Sequence, residues 1–315
     1  MSIFENKTDT RILNMVLKNS TPLGELCKPC SGYNPYEVGK GTAPNGKPHS
    51  KQTVKEKPYH SKTKNGDDWK PEIIGRNLSR YKVKISGERW VKYGPWLAAE
   101  RNPENFLGKR ILVQEIVGGN DKRIISAFYD GELYHSRDVI PIKMDSNSPH
   151  PYFLLAIINS LLLTWYHHKR SPKAKKGLFP KVLVSDLEKI PIANVADGGK
   201  VSLLIILVAL IVYVKSENNN FTFILLDKII DALVFQLYFP DHMKEKEIDI
   251  LKFVEQDLKE VLGKDDFGQL PDEQKENVIE ELHKRWSNPD SEIVKRMNSF
   301  AEKSPDILKP ILESK

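Results

Sequence analysis

Seventeen residues, Pro151 to His167, carry no charge and are dominated by large apolar side chains. The run is expected as one mostly buried helix starting near Pro151, with the rest of the chain packed around it. Its continuation is the opposite. His168–Lys176 holds five cations, Lys169, Arg170, Lys173, Lys175 and Lys176, and no anion. Phe179-Pro180 then opens a short strand-like run, Lys181–Val184, and Ser185-Asp186 reads as a cap before a short helix. A core helix that delivers a basic loop to a fixed place implies a polyanionic partner.

Charge along the whole chain points the same way. The net +6 divides into 32 Lys and Arg against 20 Asp and Glu in residues 1–197, and 16 against 22 in residues 198–315. The first part is therefore +12 and the second −6. A basic half of this size is what phosphate binding requires, although it also suits solubility or an acidic partner. The two cysteines form Cys27-Lys-Pro-Cys30. A zinc site needs two further ligands and only His49 and His60 lie within reach, so reduced thiols and no metal are expected. The opening residues lack the apolar core of a signal peptide. Val201–Val214, at 14 residues, falls short of the roughly 18–20 a bilayer span needs, and is expected as a buried or interface helix. A cytoplasmic chain without membrane contact is the expectation.

The fold class expected is α+β: a mixed or antiparallel sheet with packed helices over residues 1–197, followed by an all-helical region, 198–315. Within that region 198–240 closes the sheet unit and 241–315 is an acidic helical appendage. A helix is expected over Thr8–Lys18. The Gly-, Pro- and Lys-rich loop 31–70 is too long for an idle connection, and Tyr33, Tyr36, Tyr59 and Trp69 mark places where it is anchored. Strands are expected at Arg80–Ile85, at Arg110–Ile116 with Ile111 and Val113 on one face, and at Arg123–Tyr129 and Glu132–Lys143 around an Asp130-Gly131 hairpin turn. Later helices are expected at 201–214, 221–238, 242–262, 272–286 and 290–302.

Several blocks stand in an order that carries a family pattern. They are Gly32-Tyr33-Asn34-Pro35-Tyr36 with Gly39-Lys40-Gly41, Lys70–Asn77 with Arg80-Tyr81, Tyr93–Ala98 with Arg101, Lys109–Gln114, the Leu154–Ser160 segment, Lys189–Ile192 and Leu226–Tyr238. Residues about 24–240 thereby resemble the target-recognition domain of TaqI-like adenine-N6 DNA methyltransferases and of type IIG restriction–modification enzymes. The resemblance implies sequence-specific reading of double-stranded DNA by residues 1–197 for a methyltransferase domain or subunit. It also implies that S-adenosylmethionine binds that partner, possession of an accompanying endonuclease being open. No glycine-rich cofactor loop follows a strand here. Asn34-Pro35-Tyr36 has one proline where the methylating motif has two, and Pro240-Asp241 with Glu245 is too tightly spaced for a nuclease site. No catalytic residue is therefore expected in this chain, which alone should neither methylate nor cut.

For such a module most contacts go to phosphate and a few to base edges. Lys40, Lys47, Lys51, Lys55 and Lys57 in the long loop, and Lys169, Arg170, Lys173, Lys175 and Lys176, suit phosphate. Gln52, Arg101, Gln114, His135 and Arg137 carry groups that can read bases, Arg101 foremost because it follows a Trp-Leu-Ala-Ala-Glu anchor. Tyr93 and Trp96 are expected in the core. The competing reading is a protein-interaction scaffold, or a specificity-subunit remnant that holds DNA without reading it.

Overall fold

The uncharged run folds as two helices, not one. Pro151–Ile158 and Leu161–Arg170 are separated at Asn159-Ser160, where Ser160 leaves helical geometry and its hydroxyl accepts from the Leu163 N–H at 3.2 Å. The break lets Asn159 reach sideways. Its Oδ1 accepts from both the backbone N–H and the hydroxyl of Ser126 at 2.9 Å, and its Nδ2 donates to the Ser126 carbonyl at 3.0 Å. A polar side chain in an apolar interior needs such partners, and Asn159 finds them on a strand.

The computed structural model describes residues 7–117, 123–171 and 180–314. The strand gripped by Asn159 lies at the edge of an antiparallel sheet in the order Lys28–Pro29, Val139–Lys143, Arg110–Gln114, Ser126–Tyr129. Ile111 and Val113 share one face, against the paired helices, while Leu112 packs on the other with Ile73, Val139 and Leu133. A second, mixed sheet runs Tyr134–His135, Trp69–Ile73, Trp90–Lys92, His60–Ser61, with its first pair parallel. Two short ladders complete the strands: Ser20–Pro22 with Pro191–Ala193, and Leu78–Ser79 with Lys82–Val83.

This topology corrects the hairpin. Ser126–Tyr129 and Val139–Lys143 do not pair with each other but flank Arg110–Gln114 on opposite sides. The turn at Asp130-Gly131, with Gly131 at φ +132°, instead passes the chain to the second sheet, where Tyr134–His135 pairs with Trp69–Ile73. Arg80–Ile85 is corrected too. Tyr81 adopts φ +68° and its N–H donates to the Ser126 carbonyl at 2.8 Å, so Arg80-Tyr81 is a turn and only Lys82-Val83 is strand.

A buried ion cluster ties sheet to helices. Arg123, just before the edge strand, reaches Asp231 at 2.7 and 2.9 Å, Asp227 at 3.0 Å and the Asn159 carbonyl at 2.6 Å. Arg80 from the turn meets both oxygens of Asp227 at 2.6 and 2.8 Å. Asp231 also accepts from the Leu161 N–H at 2.8 Å, capping the second helix of the pair. Burial works against the Arg123 charge, but Asp231 and Asp227 outweigh it and hold its pKa above the ordinary value.

Both aspartates sit on the helix Asn220–Tyr238, which packs with Gly198–Ser216 against the paired helices. Gly198–Ser216 is long and apolar enough to cross a membrane by length and composition. Here its Leu203, Leu204, Leu207, Val208, Leu210, Ile211 and Val214 are buried in the protein core. Residues from Ile12 to Ile311 contribute to this core cluster, and two smaller clusters lie beside it. The span expected as one helix over 242–262 is two, Pro240–Glu245 and Leu251–Leu262, with Glu247 at φ +53° between them. Asp272–Ser287 and Glu292–Asn298 follow, and Leu308–Leu312 returns to pack on Leu161–Arg170.

Arg123→Ala is expected to cost roughly 3–5 kcal/mol, because it leaves the buried Asp231 carboxylate without its cation, while Asp227 keeps Arg80. Asn159→Ala should cost about 1–3 kcal/mol, through the unmet N–H and hydroxyl donors on Ser126. Urea unfolding midpoints measure both, and unchanged midpoints would show that the junction does not hold the fold.

Candidate nucleic-acid interface

The long loop is a built structure. Tyr33 is fully buried, edge-on to Tyr93 at 5.4 Å and Phe106 at 5.9 Å, and its hydroxyl donates to Glu72. Tyr36 stacks on Tyr59 at 6.2 Å, accepts from the Tyr59 N–H at 2.8 Å, and bonds His60 Nδ1 at 2.9 Å. The Tyr59 hydroxyl donates to the Thr42 carbonyl. Gly41 lies at φ +62°, where an added Cβ would come within 2.6 Å of the Trp96 carbonyl and 2.7 Å of the buried His49 ring. Ser50 then caps the helix Lys51–Glu56 through the Thr53 N–H at 3.1 Å. Aromatic burial thus anchors residues 33–60 as a folded layer. Tyr93 and Trp96 belong to the same half-buried cluster, as expected for core residues.

On this layer Lys40, Lys47, Lys51, Lys55 and Lys57 are all exposed. Lys40 pairs with Glu37 at 2.8 Å, both side chains being more than 40% open to solvent. Such a pair is weak and yields readily to a phosphate. Glu37 is held below the ordinary carboxylate range by Lys40 first, with Arg137 and Asn34 adding to it. Lys40, Glu37 and Arg137 are therefore neighbours, and the Arg137 N–H donates to the Tyr33 carbonyl at 3.0 Å.

The base-reading candidates separate. Arg101 is exposed, and the Tyr93 hydroxyl brackets its backbone, accepting from its N–H at 2.7 Å and donating to its carbonyl at 2.5 Å. Arg137 is exposed as well. Gln52 is exposed on its helix with its amide bonded to Glu56. Gln114 is half-buried at the end of its strand, beside Gly75. His135 is corrected: it is fully buried, edge-on to Phe106 at 5.1 Å. Burial first, and Arg110 second, push its pKa down to about 3. A neutral interior ring reads nothing.

The second basic group also divides. The Lys169 ammonium pairs with Asp9 at 2.7 Å and lies 5.7 Å from the Trp165 ring, tying the helix Lys7–Lys18 to the core. Arg170 is exposed and borders a hollow of about 250 Å³ with His167, Asp186 and Lys189. Lys173, Lys175 and Lys176 lie outside the described residues.

Two interior groups that no sequence pattern singled out hold this layer in place. Arg110 is wholly buried without a carboxylate and donates to the carbonyls of Phe106, Gly108, Gly131 and Leu133 at 2.6–2.9 Å. Burial pushes its pKa down to about 10, so it stays charged at neutral pH. Glu72, with a fully buried carboxylate, accepts from Tyr33, meets His60 Nε2 at 3.2 Å and pairs with Arg89 at 2.6 Å. A lone Glu among Pro71, Ile73 and Ile74 in a strand was the available signal. Cys27 and Cys30 are free thiols, raised chiefly by burial. Among the described residues no group of three or more His, Cys, Asp or Glu could hold a metal.

Residues 70–192 match the family model of the TaqI-like C-terminal specificity domain. The resemblance read from Lys70 to Ile192 is thereby borne out over those residues. A protein of Methanocaldococcus jannaschii, provisionally named a type II restriction enzyme and methyltransferase, is 26% identical over 191 residues, 60% of this chain. The chain spans 16% of that relative's length. Among solved structures, the type IIG restriction endonuclease BpuSI aligns at 11% identity and TM-score 0.41, over 75% of this chain and 34% of its own. The HsdS subunit from Thermoanaerobacter tengcongensis aligns at 12% and 0.36, over 73% and 50%. The type IIL restriction–modification enzyme MmeI aligns at 10% and 0.35, over 91% and 36%.

The neutral His135 ring predicts an acid limb. Unfolded histidine protonates near 6.5, whereas the folded ring resists to about 3. Stability from this residue is complete above pH 6.5 and drains as pH falls from there towards 3. His135→Phe, which keeps a ring against Phe106, should flatten that part of the stability–pH curve. An acid limb identical to the parent's would show that His135 does not set it.

Proposed function

We propose that this chain is the DNA target-recognition module of a restriction–modification system. In this reading it recognises a duplex sequence for an adenine-N6 methyltransferase of the type IIG kind, carried by another domain or subunit. The observation that carries the reading is the match of residues 70–192 to the TaqI-like specificity domain, because those residues build most of the two sheets and the paired helices. The exposed lysines at 40, 47, 51 and 55, on a loop held by buried aromatics, supply the phosphate-binding surface such a role requires. Arg101 and Arg137, mounted on Tyr93 and Tyr33 through their backbones, are base-reading candidates on the same layer. Lys173, Lys175, Lys176 and Arg170 form a second set of phosphate contacts. S-adenosylmethionine and the reacting groups would belong to the methyltransferase partner.

Selection from a pool of randomised duplexes tests the reading directly, and enrichment of one sequence is expected. Affinity should fall about 10³–10⁵-fold between 50 and 200 mM salt if six to ten phosphates are engaged. Replacing Lys40, Lys47, Lys51 and Lys55 together with Ala should weaken all duplexes alike and lower the salt slope by roughly 0.9 for each phosphate no longer neutralised. The triple change Lys173, Lys175 and Lys176 to Ala should act in the same way on its own phosphates. Affinity indifferent to salt, or no enrichment, would refute the reading.

A further inference from the structure

The molecule has a second concavity, of about 400 Å³, bordered by His60, Lys62, Arg76, Asn77, Glu88 and Arg89. It lies where the second sheet meets the segment following Ile74, and none of its residues was singled out as a DNA contact by sequence. Lys62, Arg76 and Arg89 are cations on its wall, and Lys62 and Arg76 are exposed.

Arg89 is held here by an unusual arrangement. Its Nε lies 2.6 Å from Glu72 Oε2, and the Arg89 side chain keeps one-third of its surface open while the Glu72 carboxylate has none. The same two residues are joined by backbone, since the Glu72 N–H donates to the Arg89 carbonyl at 2.9 Å. The other Glu72 oxygen is occupied by the Tyr33 hydroxyl and His60 Nε2, and His60 is fixed in turn by the Tyr36 hydroxyl. Trp90 Nε1 donates to the Gly87 carbonyl at 2.9 Å and closes the turn that carries Arg89.

Burying a carboxylate is costly, and a partly buried Arg–Glu pair does not repay that as stability over an apolar pair of similar size. What it yields is a guanidinium tethered by a buried anion at the wall of the concavity. Glu72 Oε2 lies 2.6 Å from Nε as an ion pair, without hydrogen-bond geometry between them, and the guanidinium borders the open concavity. A rigid fork presenting two parallel N–H groups matches O6 and N7 of guanine. Fixing that fork through a supporting carboxylate is how a readout group is made selective.

We propose that Arg89, positioned by Glu72, reads a guanine in the major groove, with Lys62 and Arg76 on flanking phosphates. This rests on the DNA-recognition reading above. Glu72 is the positioning residue and does not touch DNA.

The test is selection from randomised duplexes with the full 315-residue chain and its variants Arg89→Ala, Arg89→Lys and Glu72→Gln. The parent should enrich a site containing at least one guanine. Arg89→Ala should abolish preference at one guanine position, where discrimination of roughly 5–150-fold is the worth of one bidentate contact, and leave the other positions as they were. Arg89→Lys keeps the charge without the fork. It should lose the same preference with a smaller loss of overall affinity, and it carries the test if the alanine variant does not fold. Glu72→Gln should blur that one position, an effect that general destabilisation would not confine to a single base pair. Uniform weakening of all duplexes by Arg89→Ala and Arg89→Lys would make Arg89 a phosphate contact, and unchanged specificity would place it outside the interface. Either overturns the proposal while the recognition role stands. A parent chain that enriches nothing overturns the recognition role itself.

Discussion

Asp227 and Asp231 lie four residues apart on one helix and face inward, each about nine-tenths buried. Two carboxylates so close in an apolar interior can remain charged only if cations and N–H groups surround them. Arg123, Arg80 and the Leu161 N–H do so, and each comes from a different part of the chain. The consequence is geometric. The edge strand of the first sheet, the Arg80-Tyr81 turn, the second helix of the pair and the helix Asn220–Tyr238 all meet at one point. Asn159 adds a fourth tether to the same strand through Ser126. Apolar packing supplies the bulk of the stability here, as in other domains; the ion cluster decides which faces meet.

The aromatic-anchored layer of residues 33–60 hangs from this framework by a second set of interior polar groups. Arg110 donates to four carbonyls and fastens the first sheet to the segments on either side of the Asp130-Gly131 turn. Glu72 then gathers Tyr33, His60 and Arg89. These interactions lie within or beside the 33–137 stretch and leave the helical core untouched. The result is a division of labour in which apolar helices and the aspartate cluster provide a rigid base. Aromatics and singly buried charges provide a surface whose outward residues can differ without disturbing that base. A reader of DNA has use for such a separation, since specificity lies in a few side chains and positioning in many.

Local pattern carried the broad architecture. The uncharged run, the long apolar segment and the amphipathic stretches after Ile192 marked helices because burial imposes a 3.6-residue period or removes charge altogether. The short apolar run in Arg110–Gln114 marked a strand, and Tyr33, Tyr36 and Tyr59 marked a loop with anchors, since a solvated linker has no reason to carry three large rings. The ordered blocks from Gly32 to Tyr238 carried the family resemblance. All of these are properties of neighbouring residues, and a chain displays them without being folded.

Other features depended on partners far away in sequence. Asn159 breaks a run that reads as one helix because Ser126, 33 residues earlier, satisfies its side chain. The Asp130-Gly131 turn joins two sheets, and not two paired strands, because Arg110–Gln114 takes both neighbours first. His135 alternates as a surface residue would, yet a strand buried on both faces has no outward side for alternation to mark. Lys169 belongs to a basic run by sequence and to Asp9 by structure. Sequence alone determined for the most part which segments were helical, extended or anchored loop, though not where they break, because local periodicity and charge record how much of each segment is buried. Tertiary structure alone decided which polar side chains were interior fasteners and which were free to meet a ligand, because a charge is paired or exposed only relative to residues that the chain brings to it on folding.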